Sequence, residues 1–319
     1  MKKIYFIIFL IFLSACSEDK MVENDNDLLQ ITFATDWKAQ AEQGGFYQAL
    51  ASGKYLEKGL DVKIIQGNAN INIPRLLASN SIDFGMGSNS FIPMNMVANN
   101  IPGKAVMAVF QKDPQIIMTH GDNNINSIDD IKDLPIMIAD ASIGGFWLWL
   151  KSKYNFNDSQ IRKKTISLAP FLKDVSSIQQ GYLTSEPYLF EQITGQPPKV
   201  FLMADYGYPS YGAMILASNK MITENPDIVQ NFVDASIEGW VEYVYGDPSL
   251  GNQLILSENN EMTEAVLFQA IKKIREYNMI SNEVLLGKNI GTMSDKKWND
   301  FFTIMSENKD TIFKASGSV

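Results

Sequence analysis

The sequence predicts an α/β protein, and three observations lead to that fold class. Short runs rich in β-branched residues alternate along the chain with longer segments of helical periodicity. The chain has 319 residues, 45% of them hydrophobic, enough to fill one large domain or two medium ones. It contains a single cysteine and a single histidine, which excludes a disulfide framework and a Cys/His zinc cluster.

The predicted elements follow from periodicity and from turn residues. The strands predicted by alternation or by β-branched content are 29–34, 60–65, 82–86, 105–110, 115–118, 136–139, 200–203 and 213–217. The segments with helical periodicity are 44–51, 73–78, 146–154, 226–245, 263–277 and 294–305. Gly53 is a typical stop for the first helix. Because strands and helices alternate, we expect largely parallel sheets.

The N-terminal segment has the pattern of a secretory leader. Lys2 and Lys3 precede a ten-residue apolar run, which is too short to span a bilayer. The run ends in Leu-Ser-Ala-Cys, which resembles a bacterial lipobox whose Cys16 receives lipid and anchors the protein. An ordinary signal peptide with an incidental cysteine is the alternative. Residues 17–27 are polar and acidic, so 1–27 is predicted to be a signal peptide and tether.

Charge and hydropathy exclude several classes of partner. The net charge is −9, whereas a nucleic-acid-binding protein needs a basic face. The same charge argues against retention on anionic lipid by electrostatics alone. After the leader no apolar run approaches the ~18 residues that a spanning helix needs. We therefore expect no nucleic-acid partner and no metal ion.

Several motifs, in their order and spacing, resemble a known family. They are Asp36-Trp37, the segment 44–55 (GGFYQALASGKY), 59–62 (GLDV), 82–87 (IDFGMG), 110–115 (FQKDPQ), 181–187 (GYLTSEP) and Asn225-Pro226. Together they are similar to the solute-binding proteins of ABC importers for sulfonates, nitrate and thiamine-pyrimidine precursors. The similarity extends from about Ile31 to Phe302.

The resemblance implies a two-lobe periplasmic-binding-protein fold of type 2, with a hinge and an interlobe cleft. Lobe 1 would comprise residues 28–113 and 214–319, and lobe 2 residues 114–213. A small molecule would bind in the cleft and be buried as the lobes close. The implied partners are the ABC permease and ATPase subunits. The implied location is the periplasmic or extracellular face of a membrane, and no cofactor is expected.

The family geometry gives twelve candidate ligand-binding residues, which are Trp37, Gln43, Gly44, Gly45, Ser88, Asn89, Gly144, Gly145, Trp147, Glu186, Tyr206 and Tyr208. Trp37 would supply an aromatic wall for a flat ligand. Glu186 would accept hydrogen bonds from an exocyclic amine. Each has a structural alternative: a core tryptophan, a helix cap, an exposed glutamate or a tyrosine-rich surface loop.

The ligand expected from these residues is a small, flat nitrogen heterocycle similar to a thiamine-pyrimidine precursor. A sulfonate such as taurine, or nitrate, is the alternative within the same class. An enzyme similar to the eukaryotic pyrimidine synthases is the alternative from another class. Those enzymes use an active-site histidine and a cysteine-rich iron motif. Here the single histidine, His120, lies outside the matching segment and is expected in a surface turn. We therefore expect a binding protein and not an enzyme.

Overall fold

The computed structural model describes residues 28–68, 70–143, 145–165, 167–280 and 290–306. The predicted leader and Cys16 lie outside these residues. The strands are β1 (Leu29–Ala34), β2 (Leu60–Ile65), β3 (Phe84–Asn89), β4 (Gly103–Phe110), β5 (Gln115–Thr119), β6 (Ile136–Ile138), β7 (Ile161–Lys163), β8 (Ile178–Tyr182), β9 (Lys199–Leu202) and β10 (Gly212–Ser218).

Helices follow most of the strands and dominate the C-terminal third. They are α1 (Gly44–Ala51), α2 (Lys54–Glu57), α3 (Ile73–Ala78), α4 (Phe91–Ala98), α5 (Asp140–Ile143), α6 (Phe146–Tyr154), α7 (Ala169–Lys173), α8 (Glu186–Thr194), α9 (Asn219–Glu224), α10 (Pro226–Tyr245), α11 (Ser249–Glu258), α12 (Glu264–Glu276) and α13 (Asp295–Ser306). None of the helices in the described part of the chain is long and apolar enough to cross a membrane.

The strands form two separate five-stranded sheets. Their orders are β2-β1-β3-β10-β4 and β7-β6-β8-β5-β9. We call each sheet with its packed helices lobe 1 and lobe 2, respectively. The α/β prediction is confirmed, and in each sheet four of the five strands point in one direction while one strand is antiparallel to its neighbours. In lobe 1, β10 runs antiparallel to β3 and β4, and in lobe 2, β5 runs antiparallel to β8 and β9. Both antiparallel strands directly follow a passage from one lobe to the other.

The chain passes between the sheets twice, between Phe110 and Gln115 and between Leu202 and Gly212. This agrees with the two crossings that the resemblance implies, while the exact lobe boundaries stay a prediction. The C-terminal helix contacts both lobes: Trp298 packs in a lobe 1 cluster, and Phe301 packs in the core of lobe 2. Helix α13 therefore joins the lobes instead of belonging to lobe 1 alone.

Each lobe has an aromatic core under its sheet. In lobe 1 the rings of Phe84 and Phe232 are stacked with centroids 4.1 Å apart, and Phe232 also meets Phe33 edge-on. In lobe 2 the fully buried Trp147 and Trp149, which are both on α6, pack in the core. Such aromatic pairs stabilise the fold by about 0.5–1.5 kcal/mol beyond the hydrophobic free energy of the area that they bury. The cores hold the strand ends rigidly, and those ends carry the site.

A buried carboxyl lies where the two crossings meet. Asp113, in the first crossing, is 2% exposed, and its Oδ1 accepts the backbone N–H of Gln115 at 2.9 Å. Ser210 of the second crossing also hydrogen-bonds this carboxyl, and Lys297 of α13 lies within electrostatic range. Burial raises the pKa of Asp113 to about 6, against the hydrogen bonds and Lys297, which lower it. Both crossings and α13 are thus connected through one titratable group.

Candidate ligand-binding cleft

The loop after β1 presents Asp36 and Trp37 at the carboxyl end of the lobe 1 sheet. The carbonyl oxygen of Trp37 accepts the Thr35 hydroxyl at 2.7 Å and the backbone N–H of Gly67 at 3.1 Å. These two bonds fix the loop against the end of β2. Trp37 itself is only partly buried and lies outside the core clusters of the described residues. Its position is compatible with the predicted aromatic wall, which stays a prediction.

Gln43 is held next to Asp36 and keeps one polar atom without a partner. Its side chain is 2% exposed, and Nε2 donates to Oδ1 of Asp36 at 3.0 Å. Its Oε1 atom is buried and has no hydrogen-bond partner among the described residues. A buried amide oxygen left unbonded costs about 1–3 kcal/mol. A ligand donor is therefore the natural partner for this oxygen.

The Asp36 carboxyl also connects to the end of β3. Ser88 and Gln43 both hydrogen-bond it, which lowers its pKa, but burial outweighs them and raises the pKa above its ordinary value. Asn89, the next residue, instead accepts the backbone N–H of Phe91 at 3.0 Å and so caps the start of α4. Of the two predicted residues on this loop, Ser88 hydrogen-bonds the Asp36 carboxyl, and Asn89 hydrogen-bonds the first turn of α4.

Gly44 and Gly45 begin α1, but their lack of side chains serves packing. A Cβ atom on Gly44 would lie 2.1 Å from the Tyr243 ring, and one on Gly45 would lie 2.2 Å from the Trp240 ring. Helix α10 therefore requires glycine at both positions. That their backbone N–H groups face a ligand stays a prediction.

Lobe 2 contributes the segment from the end of β8 to the start of α8. Glu186 is the first residue of α8, and its Oε2 accepts the backbone N–H of Tyr182 at 2.8 Å. Its Oε1 accepts Nζ of Lys164 at 2.6 Å, with both side chains less than one fifth exposed. Both carboxylate oxygens of Glu186 therefore already have a hydrogen-bond partner within lobe 2. Each of its oxygens still has a lone pair for a further donor.

Glu42 is a third carboxylate between the lobes. It is 6% exposed and accepts a hydrogen bond from the hydroxyl of Thr184, which is in lobe 2. Burial raises its pKa, and the neighbouring charges of Glu186 and Asp36 raise it further. Three carboxyl groups from two lobes thus influence one another across the cleft.

Tyr182 stands among these groups at the end of β8. Burial raises the pKa of its phenol well above its ordinary value, and the carboxylates of Asp113, Asp36 and Glu42 add to the effect. Its ring is partly exposed. Tyr182 is thus a lobe 2 aromatic within electrostatic range of Asp36 and Glu42 of lobe 1.

The remaining predicted aromatics lie elsewhere. Trp147 is fully buried and donates its indole N–H to Asp158 at 2.9 Å, so it belongs to the lobe 2 core and not to the cleft. Tyr206 packs edge-on against Phe201 at 6.2 Å, outside the carboxylate cluster. Tyr208 is 3% exposed and packs 5.3 Å from Trp149. Tyr208 therefore belongs to the lobe 2 core, and a ligand contact of Tyr206 stays a prediction.

Burial accounts for the other outcomes too. Tyr208 lies near the hinge. Burial is the main cause that raises the pKa of its phenol, and the charge of Asp113 raises that pKa further. Gly145 is the residue before α6, and a Cβ atom added to it would be in ordinary contact with Phe91 of lobe 1 at 3.7 Å, while Gly144 lies outside the described residues. His120 is 7% exposed, with Nε2 2.8 Å from the carbonyl oxygen of Phe171, so the surface turn expected for it is wrong.

Sequence reasoning missed four residues of this cluster, which are Asp36, Glu42, Tyr182 and Thr184. Three of them stand inside motifs that carry the family resemblance. The signal available was position: Asp36 follows directly on a strand, and Tyr182 and Thr184 precede the chosen Glu186. Glu42 had no such signal, because only the approach of lobe 2 makes it part of a site.

A surface groove of about 510 Å³ lies between the lobes on a different face. Residues of α8 and α12 line it, among them Tyr188 and Lys273. None of the predicted site residues lines this groove. No group of three or more potential metal ligands occurs in the described ranges.

Two α/β lobes joined by two crossings, with buried polar groups facing each other between them, define the architecture of periplasmic binding proteins. The periplasmic aliphatic sulphonate binding protein SsuA from Escherichia coli has this fold. It superposes with a TM-score of 0.61 at 14% identity, over 90% of this chain and 97% of SsuA. The periplasmic-binding-protein fold expected from the sequence is thereby confirmed.

The family follows from the sequence itself. The profile described as NMT1/THI5 like matches residues 40–249, and the chain belongs to this family. The riboflavin-binding protein RibY of Chloroflexus aurantiacus is 24% identical over 222 residues, which cover 66% of this chain and 62% of RibY. The chain thus spans less than two thirds of that relative's length. The formylaminopyrimidine-binding protein of Halalkalibacterium halodurans is 21% identical over 285 residues, covering 87% of this chain and 84% of the relative.

Proposed function

We propose that this chain is the extracytoplasmic solute-binding protein of an ABC importer. It captures a small, flat nitrogen heterocycle, similar to a thiamine-pyrimidine precursor, and buries it by closure of the lobes. The named ligands of its two sequence relatives, formylaminopyrimidine and riboflavin, are both nitrogen heterocycles. A binding role without catalysis is consistent with the names of both relatives.

The observation that carries the ligand class is the acidity of the cleft. Asp36, Glu42 and Glu186 meet between the lobes, and the ammonium of Lys164 is already bonded to Glu186. Carboxylates accept hydrogen bonds from amines and repel sulfonate or nitrate. A flat heterocycle with an exocyclic amine would donate hydrogen bonds to the carboxylates and stack on the aromatic rings of Trp37 and Tyr182.

The positions of the arginines support the same choice. The chain has three, Arg75, Arg162 and Arg275, and they lie on α3, β7 and α12. Arg162 and Arg275 donate to backbone carbonyl oxygens of their own lobes. An anion site would use the guanidinium fork, which matches the oxygens of a sulfonate.

Titration calorimetry with 4-amino-5-hydroxymethyl-2-methylpyrimidine tests this function. We expect Glu186→Gln to weaken binding by about 1–3 kcal/mol, because a hydrogen bond to a charged acceptor is lost. Trp37→Ala should weaken it by a similar amount through lost stacking. Glu191→Gln is the matched control, because Glu191 is exposed on the same helix, α8. Tight binding of taurine or nitrate with no response to pyrimidines or flavins would overturn the proposal in favour of an anion importer.

A further inference from the structure

Thr184 is the point where lobe 2 bonds most directly to lobe 1. Its hydroxyl donates to the carboxylate of Glu42, and its carbonyl oxygen accepts Nε2 of Gln269 on α12. Thr184 is 1% exposed and Glu42 is 6% exposed, so the contact is sealed from water. We call Glu42, Thr184 and Gln269 the interlobe latch.

The charges around the latch are mostly negative. Asp36 from the same lobe and Glu186 from the opposite lobe both act on Glu42. Helix α10 contributes the neutral phenol of Tyr243, and α12 contributes the uncharged Gln269. From β8 comes the phenol of Tyr182. Among the residues that the structure describes, the ammonium bonded to these groups is that of Lys164, on Glu186.

We propose that Glu42 makes closure of the cleft depend on positive charge, so that the latch forms when a proton or a cationic group of the ligand compensates Asp36 and Glu42, the two carboxyls that Lys164 does not pair with. The ligand part of this inference rests on the proposed function. The proton part depends only on the groups in the chain.

The physical reason is that closure of the lobes brings like charges together. The latch joins opposite lobes, so its closing brings Glu186 towards Glu42 and Asp36 while water leaves. Repulsion between like charges grows as the medium becomes less polar. Lys164 balances Glu186, which leaves two carboxyls without a cation. Burial raises the pKa of both Asp36 and Glu42, and at Glu42 the charges of Glu186 and Asp36 add to the rise.

The hydroxyl of Thr184 has a separate role. It donates a hydrogen bond to Glu42 whether or not that carboxyl holds a proton, because one oxygen keeps a free lone pair. Thr184 therefore sets how stable the closed form is, whereas Glu42 sets how it responds to charge. The two roles predict different behaviour of the two variants.

Distances between spin labels measure the closed fraction without any ligand. Cys16 is the single cysteine, so the full chain carrying Cys16→Ser can be labelled at cysteines placed at Val97 in lobe 1 and Val175 in lobe 2. Both positions are well exposed, at 72% and 65%. We expect the closed-to-open ratio to rise about tenfold or more from pH 8 to pH 5, since each proton taken up on closure gives up to about tenfold per pH unit.

The variants separate the roles. Glu42→Gln should raise the closed fraction at pH 8 and lose most of the pH response. Thr184→Val should lower the closed fraction at every pH and keep the response, and Thr184→Ser should restore it. Thr223→Val, which removes an exposed helical hydroxyl on α9, is the matched control and should change nothing. A closed fraction that is independent of pH, or an unchanged slope in Glu42→Gln, overturns the inference.

A pair of pyrimidines tests the ligand part. The probes are 4-amino-5-aminomethyl-2-methylpyrimidine, whose aminomethyl group is cationic, and its neutral 5-hydroxymethyl counterpart. We expect the cation to close the lobes at a lower concentration, with its preference reduced about tenfold in Glu42→Gln. Equal preference in both proteins overturns the inference while the proposed function stands. If neither pyrimidine binds, the proposed ligand class is wrong, and the pH series still decides the role of Glu42.

Discussion

Asp113 is the residue whose titration should be visible in the stability of the whole chain. Burial raises its pKa to about 6, above the value of an unfolded carboxyl. A carboxyl with a raised folded-state pKa contributes stability that is present below about pH 4 and is lost as the pH rises through about 6. A shift of this size corresponds to about 3 kcal/mol.

We therefore expect the urea midpoint to fall between about pH 4 and pH 6.5 and to level off above that range. Asp113→Asn should flatten this part of the profile, because asparagine keeps an acceptor for the Gln115 N–H and carries no charge. Asp122→Asn, at an exposed position, is the control and should leave the slope unchanged. Asp36 and Glu42 act in the same direction, since burial raises both of their pKa values. A profile as steep in Asp113→Asn as in the natural chain would contradict the assignment.

From the sequence, an individual site residue could be predicted only where its position in a loop, next to a strand or a helix, indicated a role. Trp37 was predicted because it lies in the loop after β1, and Glu186 because of its Glu-Pro step, which begins α8; that either contacts a ligand stays a prediction. Trp147 was misplaced, because a helix start does not reveal which face of the helix meets the sheet. Glu42 was missed, because its role depends on Thr184, which is far away in sequence and in the other lobe.

At the scale of elements, α1 and α10 pack closely enough to require glycine on both sides. Gly239 of α10 lies against the α1 backbone: an added Cβ would be 2.3 Å from the carbonyl oxygen of Gly45 and 2.5 Å from Cβ of Ala49. Backbone atoms cannot move aside as a flexible side chain can. The helix axes would have to separate to accept a methyl group.

Gly239→Ala should accordingly lower the free energy of unfolding by about 1–3 kcal/mol, the usual cost of overpacking. Urea unfolding would measure it. Gly121→Ala is a suitable comparison, because Gly121 is exposed and its Cβ would meet a single atom at 3.2 Å. An equal loss in both variants would show that the effect is not specific to the contact of α1 with α10.

Most elements were predictable from local pattern, and the exceptions have local causes. The predicted bounds of β1, β2, α3, α6 and α10 match the structure. The elements that were not predicted include the strands β7 and β8 and the short helices α2, α5, α7 and α9. Helices α8 and α11 were missed as well: α8 opens with Glu-Pro after a strand, and α11 has little apolar periodicity. The antiparallel direction of β5 and β10 could not be predicted, because strand direction depends on where the chain crosses between lobes.

At the scale of the whole molecule, the sequence of the N-terminal segment leads to a prediction about anchoring. We propose that Cys16 is lipidated and tethers the folded body through residues 17–27. Cys16→Ser should then leave an unprocessed or unlipidated precursor, because no other thiol exists in the chain. Detergent-phase partitioning and the apparent mass of the product would measure this. A variant that still fractionates as a processed lipoprotein would show that the leader is of another kind.

The place of β10 in the first sheet also determines the order in which the molecule can be completed during synthesis. Strands β3 and β4 do not pair with each other, because β10 lies between them and bonds to both. The first sheet therefore stays in two pieces with open edges until residues 212–218 have emerged, whereas the second sheet is contiguous between residues 115 and 202. Unpaired strand edges promote aggregation. A nascent chain that stalls before residue 212 would thus carry the two unjoined pieces of the first sheet, followed by all five strands of the second sheet without the α13 side chains that complete its core.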